Sequence, residues 1–104
     1  MGGCCSCCGG PSRLDVSLAG ASAVNGVYVE DGTWNGKPCY THETTGIEIW
    51  WDTDGWWMIG KTNDWYYMNK SDDNTPPMTG WDISDEYVNA NASRPVPNIT
   101  RKLT

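Results

Sequence analysis

The chain has 104 residues, with 7 Lys and Arg against 13 Asp and Glu, and a formal net charge of −6. This length leaves room for one domain. The acidic balance, without a basic stripe, disfavours nucleic-acid binding and attraction to an anionic membrane surface. The chain contains seven Trp and five Tyr but no Phe, and we expect most of these aromatic side chains in the core because so short a domain cannot fold without burying them.

Residues 1–12 are predicted to be a membrane anchor. Gly2 follows the initiator Met, and Ser6 stands where the N-myristoylation pattern requires a small hydroxyl residue. One myristoyl chain binds a membrane only marginally, so a second signal is needed. Four thiols close to Ser6 can supply it as palmitoylation sites: Cys4, Cys5, Cys7 and Cys8. We therefore expect a lipoprotein on the cytoplasmic face of a membrane, either the plasma membrane or, by analogy, a flagellar or ciliary membrane.

The alternatives for this cysteine cluster are a soft-metal site, a disulfide framework and an engineered thiol tag. Adjacent cysteines fit tetrahedral zinc poorly, since structural sites space their paired ligands by about two to four residues. The odd count of five cysteines disfavours a disulfide framework. The tag stays open. Acylation is the favoured interpretation, because the myristoylation pattern is joined to a Cys-rich cluster. The sequence contains neither a secretory h-region nor an apolar run of membrane-spanning length, so we expect a cytosolic protein held on the membrane from the inside.

After the anchor, short β-type runs alternate with Gly, Asn and Asp, and no helical periodicity is sustained. Turns are predicted at Asn25-Gly26, Asp31-Gly32 and Asn35-Gly36, and a polar loop at 72–77. The predicted strands are 14–18, 27–29, 39–42, 47–51, 56–59 and 65–68, and order resumes at Trp81. The pattern predicts an all-β domain over 13–88, a single antiparallel meander of about five to seven short strands curled into a barrel or folded into two layers. Residues 89–104 are either a tail or one final edge strand around Ile99.

One hairpin can be predicted in detail. Asp52-Thr53-Asp54-Gly55 suits a type I turn with Gly55 in the left-handed position of a G1 bulge, which pairs Asp52 with Trp56. This register separates the side chains into two sets on opposite faces. The wholly apolar set is predicted to be core: Ile47, Ile49, Trp51, Trp57 and Ile59. The mixed set contains the aromatics expected to be exposed: Glu48, Trp50, Trp56 and Met58.

We expect a minority of the aromatic residues to form a binding face, because Tyr and Trp are the residues that most often anchor interfaces. The candidate binding residues are Trp50, Trp56, Met58, Tyr66 and Trp81.

An ordered series of short motifs resembles a known module. The motifs are Asn25-Gly26 with Tyr28, then Gly32, Gly36 with Pro38 and Tyr40, Ile47 with Ile49, Trp57-Met58-Ile59, Tyr66-Tyr67 with Asn69, and Pro76-Pro77-x-x-Gly80-Trp81, with Val96-Pro97 as a closing match. Over residues 16–81 the chain thereby resembles a small aromatic-rich module found in many copies in protist and algal proteins. The resemblance implies a fold and an interaction role rather than catalysis. The chain departs from the multi-copy pattern by having one copy and its own predicted lipid anchor.

A weaker similarity lies within the same stretch. Residues 36–45 and a later Trp are similar to the second and third strands of a WW domain, which binds Pro-rich peptides between aromatic rings. The spacing differs by one residue near His42, and Cys39-Tyr40 stands where the usual aromatic pair would be. Short β-hairpins converge on such residues through propensity alone.

The sequence offers no convincing catalytic set. His42 is the only histidine, and the alternation of side chains along a strand keeps both Cys39 and Glu43 on the face opposite to it. We expect Cys39 to be a small apolar filler and His42 a surface residue. Asp72-Asp73-Asn74 is a faint calcium candidate, but a solvated loop is the favoured interpretation. We expect no metal, no cofactor and no enzymatic activity.

The leading hypothesis is a membrane-tethered, non-catalytic protein-interaction module. The first alternative is a carbohydrate-binding module that uses exposed Trp and Tyr, although glycans lie mainly on the other side of the membrane. The second is a Pro-rich-peptide binder of the WW type. A small enzyme using Cys39 is disfavoured by the missing base geometry.

Overall fold

The computed structural model describes residues 12–102. The strands are β1 Arg13–Ser17, β2 Gly26–Trp34, β3 Lys37–His42, β4 Glu48–Asp52, β5 Trp56–Lys61, β6 Asp64–Lys70, β7 Asp82–Ile83 and β8 Asn98–Lys102, and a short 3-10 helix spans Ser22–Val24. The described range contains no α-helix, and the predicted all-β class is confirmed. The predicted acylation residues Gly2, Cys4, Cys5, Cys7 and Cys8 lie outside the described residues.

All eight strands belong to one antiparallel sheet in the order β7-β6-β5-β4-β3-β2-β1-β8, curled into a half-barrel. The first seven strands form a meander, and β8 returns to pair with β1 along its whole length. The loop before β7 reaches the opposite edge of the sheet, where Ile99 N donates to Met78 O at 2.9 Å. Seven of the strands, β1 to β7, lie within residues 13–88, in agreement with the expected five to seven, and β8, which contains Ile99, is the eighth strand at the edge of the sheet.

Two of the predicted turns have different outcomes. Asn35 and Gly36, with φ of 55° and 83°, form the two-residue turn between β2 and β3, as predicted. Asp31-Gly32 is not a turn, since it lies inside β2 where the pairing with β3 shifts between Glu30 and Thr33. A glycine at φ 90° serves a β-bulge as well as a turn, so this dipeptide did not distinguish the two.

The β4–β5 hairpin has the predicted register. Asp52 pairs with Trp56, Gly55 has φ 94°, and Gly55 N donates to Asp52 O at 2.8 Å. The hairpin side chains separate onto two faces of the sheet, which we call the core face and the second face. The buried core-face cluster comprises Leu14, Val16, Ala19, Ala21, Val24, Tyr28, Tyr40, Ile47, Ile49, Trp57, Ile59, Tyr66, Tyr67, Trp81 and Ile99. The second-face cluster comprises Trp34, Cys39, Trp50, Trp56, Met58, Trp65 and Met68.

Tyrosine hydroxyls connect the core face to the chain that covers it. Tyr28 Oη donates to Val24 O in the 3-10 helix at 2.7 Å. Tyr67 Oη donates to Ser93 O at 2.6 Å and accepts from Ala21 N at 3.1 Å. The phenol rings thus supply apolar area to the core while their polar ends satisfy backbone groups of the covering layer.

His42 is buried, contrary to the expectation of a surface residue, with 9% of its surface exposed. Its ring packs edge-on against Tyr28 with 5.0 Å between centroids. Nδ1 accepts from the backbone N–H groups of Thr44 and Thr45, so Nε2 carries the proton and donates to Asn25 O at 2.7 Å. Nδ1 therefore holds the turn after β3, and Nε2 links it to the residue that precedes β2. Strand alternation does not reveal this arrangement, because it depends on backbone groups that are distant in sequence.

Candidate functional site

The second face brings together three of the five predicted binding residues. Trp50 pairs with Met58 across β4 and β5, and Met58 pairs with Met68 across β5 and β6. Trp56 lies two residues before Met58 on the same strand, and therefore on the same face. Trp50 and Met58 are only 5% and 3% exposed, whereas Trp56 is partly exposed. Neighbouring large side chains cover Trp50 and Met58, so of these three residues only Trp56 is exposed to solvent in part, as we expected.

A β-bulge in β6 adds Trp65 to the second face, a residue that is not among the predicted binding residues. Ile59 pairs with Tyr67 and the next residue, Gly60, pairs with Trp65, so Tyr66 is an extra residue. The bulge places Tyr66 beside Tyr67 in the core face, with 6.5 Å between ring centroids, and turns Trp65 to the second face. The expectation that Tyr66 joins the binding face is therefore corrected, because it assumed unbroken alternation.

Gly60 makes this bulge sterically feasible. A Cβ atom at this position would lie 2.6 Å from Asp64 O and 2.7 Å from the Cα of Trp65. No other residue type allows β5 and β6 to approach this closely without a shift of the backbone. The available signal in the sequence was three consecutive aromatic residues, 65–67, following a glycine-containing strand.

Trp81 also belongs to the core face and not to the binding face. It is 4% exposed, and its indole Nε1 donates to Pro77 O at 2.8 Å. Its ring packs within the buried core-face cluster. Trp81 is correctly expected to restart ordered structure, but its side chain is not available to a ligand.

An open cleft of about 190 Å³ lies at one end of the second face. Its apolar residues are Trp56, Met58, Trp65 and Met68, and its acidic residues are Asp52, Asp54, Asp85 and Glu86. Two of these acids come from the β4–β5 turn and two from the segment after β7. Pockets for drug-sized ligands usually enclose about 300–1,000 Å³. The cleft is therefore of a size to take one side-chain head group rather than a large ligand.

The segment after β7 is held against Trp65. Trp65 N donates to Tyr87 O and its carbonyl accepts from Asn89 N, both at 2.8 Å. The Tyr87 ring meets the Trp65 ring edge-on at 5.0 Å, and Trp50 meets it from another side at 6.2 Å. These contacts fix the position of Trp65 and carry Asp85 and Glu86 to the cleft.

The charges around the cleft are unbalanced. Over residues 12–102 the ion pairs are Arg13 with Glu43, Lys37 with Asp72 and Arg94 with Asp82, so none of the four cleft carboxylates is paired. Among the described residues, Lys70 is the cation that contacts a cleft residue, with its Nζ 5.5 Å from the centroid of the Trp56 ring. The cleft therefore combines indole rings with an excess of negative charge.

The other chemical candidates have structural roles. Cys39 lies in the second-face cluster but is disulfide-bonded, which the expectation of a small apolar filler did not include, and His42 contacts Tyr28 on the opposite side, so the two do not form a nucleophile–base pair. The backbone oxygens of Asp72 and Asp73 accept from Lys37 Nζ at 3.0 Å and from Trp57 Nε1 at 3.2 Å. Within the described residues, no group of three or more His, Cys, Asp or Glu side chains is arranged to hold a metal ion.

No helix within residues 12–102 is long and apolar enough to cross a bilayer. Comparison of the chain with protein-family models, curated proteins and solved structures gave no significant match. The resemblance to the protist and algal module thus stays a prediction.

Proposed function

We propose that this protein is a membrane-tethered, non-catalytic interaction module that binds a partner protein at the acidic aromatic cleft. The observation that carries the proposal is the joining of Trp56, Trp65 and two methionines to four unpaired carboxylates in one open cleft. Partly exposed aromatic side chains beside a polar rim are typical of interaction hot spots. The lone histidine is occupied by backbone partners at both nitrogens, which supports a role other than acid–base catalysis.

The tether is inferred from Gly2, Ser6 and the four nearby cysteines. A chain of net charge −6 is repelled by anionic lipid, so fatty acids would have to supply the membrane affinity. Attachment to a surface also raises the effective concentration of a weak binding module near partners on that surface.

The tether is tested by expressing the full chain in eukaryotic cells and separating membranes from the soluble fraction. We expect the parent chain in the membrane fraction and Gly2→Ala in the soluble fraction, because the variant cannot be myristoylated. Gly3→Ala is the matched control, since it leaves the acylated glycine in place and should remain with membranes. Membrane association of Gly2→Ala equal to that of the control would contradict the proposal.

Carbohydrate binding is the second candidate, favoured by one observation: partly exposed indole rings lie beside carboxylates in the same cleft. Titration of tryptophan fluorescence with neutral oligosaccharides tests it, and saturable binding would reverse the ranking. The WW-type interpretation receives no such support, since Cys39 and Tyr40, in the positions of its aromatic pair, are 0% and 1% exposed.

A further inference from the structure

We propose that the cleft recognises a cationic side chain, lysine or arginine, presented by the partner protein. This inference rests on the proposed function and specifies the chemistry of its ligand. Three independent features support it: the indole rings, the unpaired carboxylates, and an arrangement of the same kind elsewhere in the molecule.

The apolar surfaces of the cleft suit a cation with a hydrocarbon stem. Trp56 and Trp65 provide indole rings, whose faces attract ammonium and guanidinium groups more strongly than those of Tyr or Phe. Met58 and Met68 pair across β5 and β6 and supply a flexible, polarisable contact for the methylene stem. A volume of about 190 Å³ matches a single long side chain.

The carboxylates determine the sign of the ligand's charge. Asp52 and Asp54 line the cleft from the β4–β5 turn, with Asp52 Oδ1 accepting from Asp54 N at 3.1 Å, and Asp85 and Glu86 line it from the segment after β7. A neutral ligand would desolvate these groups without compensation, and an anionic ligand would be repelled. A cation relieves both costs, and the net charge of −6 steers it towards the protein from a distance.

The molecule already contains a similar arrangement on the other side of the hairpin. Lys37 Nζ lies 4.5 Å from the Trp51 ring centroid and 3.6 Å from an Asp72 carboxylate oxygen. In the cleft, Trp56 has Lys70 Nζ near its face at 5.5 Å, but no carboxylate is paired with that ammonium. The cleft therefore has a ring and carboxylates that could bind an ammonium together, whereas Lys70 contacts only the ring.

The test uses the full chain and four blocked pentapeptides, Gly-Ser-X-Ser-Gly, in which X is lysine, arginine, norleucine or glutamate. Binding is followed by NMR at the indole N–H signals of Trp56 and Trp65. We expect the lysine and arginine peptides to bind at least tenfold more tightly than norleucine, and this preference to shrink with added salt. The two cationic peptides distinguish an ammonium from a guanidinium ligand.

Charge-matched variants separate a local effect from a general one. The double substitution Asp85→Asn, Glu86→Gln should weaken binding of the lysine peptide at least fivefold. The control Asp72→Asn, Asp73→Asn removes the same charge from another exposed loop and should change the affinity less than twofold. Lys70→Gln removes a competing cation from Trp56 and should strengthen binding about twofold or more.

The results distinguish a failure of the cation inference from a failure of the proposed function. Equal binding of the norleucine and lysine peptides at the Trp56 and Trp65 signals would overturn the cation inference and leave an apolar protein-binding cleft intact. A failure of every peptide to shift these signals, or an equal effect of the two double substitutions, would also overturn it. The proposed function fails separately, through membrane retention of Gly2→Ala or saturable oligosaccharide binding.

Discussion

The two faces of the sheet are built from alternating residues of the same strands, yet they are covered in different ways. The core-face cluster recruits residues from outside the strands, including Ala19, Ala21, Val24, Trp81 and, partly buried, Ala92 and Val96. Every member of the second-face cluster is a strand residue. The core face is thus sealed by the chain's own loops, whereas the second face depends on tryptophan and methionine packing against one another. A single sheet can in this way hold a folding core on one face and the proposed binding surface on the other.

The largest expected effect is a difference in stability between alanine substitutions of two neighbouring tryptophans on β5. Trp57→Ala should lower the free energy of unfolding by about 3–5 kcal/mol, because the ring is fully buried in the core face and its Nε1 donates to Asp73 O. Trp56→Ala should cost about 1–2 kcal/mol, since its ring is partly exposed. Urea denaturation followed by circular dichroism measures both.

For peptide binding, the substitution at Trp56 should have the larger direct effect. Trp56→Ala is expected to abolish binding of the lysine peptide, with the protein still folded. Equal destabilisation by the two substitutions would break the distinction between a core face and a second face.

A smaller effect is expected at the bulge that links the faces. Gly60→Ala places a Cβ within 2.6 Å of Asp64 O and should destabilise the protein by about 1–3 kcal/mol. It should also shift the indole signal of Trp65, because the strand must move. Gly36→Ala is the control: its Cβ meets nothing within 4 Å, so only the strain of φ 83° remains, at about 1 kcal/mol. An unchanged Trp65 signal in Gly60→Ala would show that the bulge does not position the ring.

The smallest effect concerns alkaline pH. Burial, reinforced by the nearby Glu30 carboxylate, raises the pKa of Tyr40 to about 12, and burial also raises the pKa of Tyr28. The folded protein therefore retains the phenolic protons where the unfolded chain begins to lose them. The resulting stabilisation is complete below about pH 10, the ordinary tyrosine pKa, and is lost as the pH rises through about 12.

Urea denaturation between pH 9 and pH 12 tests this dependence. Tyr40→Phe should flatten the decline in the free energy of unfolding. Tyr87→Phe is the control for removing an exposed tyrosine from the cleft side, and it should leave the decline unchanged. A decline identical in all three proteins would refute a contribution from the core-face tyrosine.

Local features could be predicted from the sequence because they depend on nearest neighbours. The turn over Asp52 to Gly55 sets the register of the β4–β5 hairpin, and side-chain alternation then assigns Trp57 and Ile59 to one face and Trp56 and Met58 to the other. The strands β1 to β6 follow from the same period of two and from their Gly and Asn turns.

Only the tertiary structure decided the rest. The bulge at Tyr66 depends on the approach of β6 to Gly60, the burial of His42 depends on Asn25, and β8 exists by pairing with a strand some eighty residues earlier. The cleft joins acids from the β4–β5 turn to acids about thirty residues later. The sequence by itself determined which residues alternate and where the chain turns, since both are short-range properties of the backbone. Long-range packing decided which face of the sheet is covered by loops and which is left open. The reason is that the covering residues come from loops that are distant in sequence from the strands they contact.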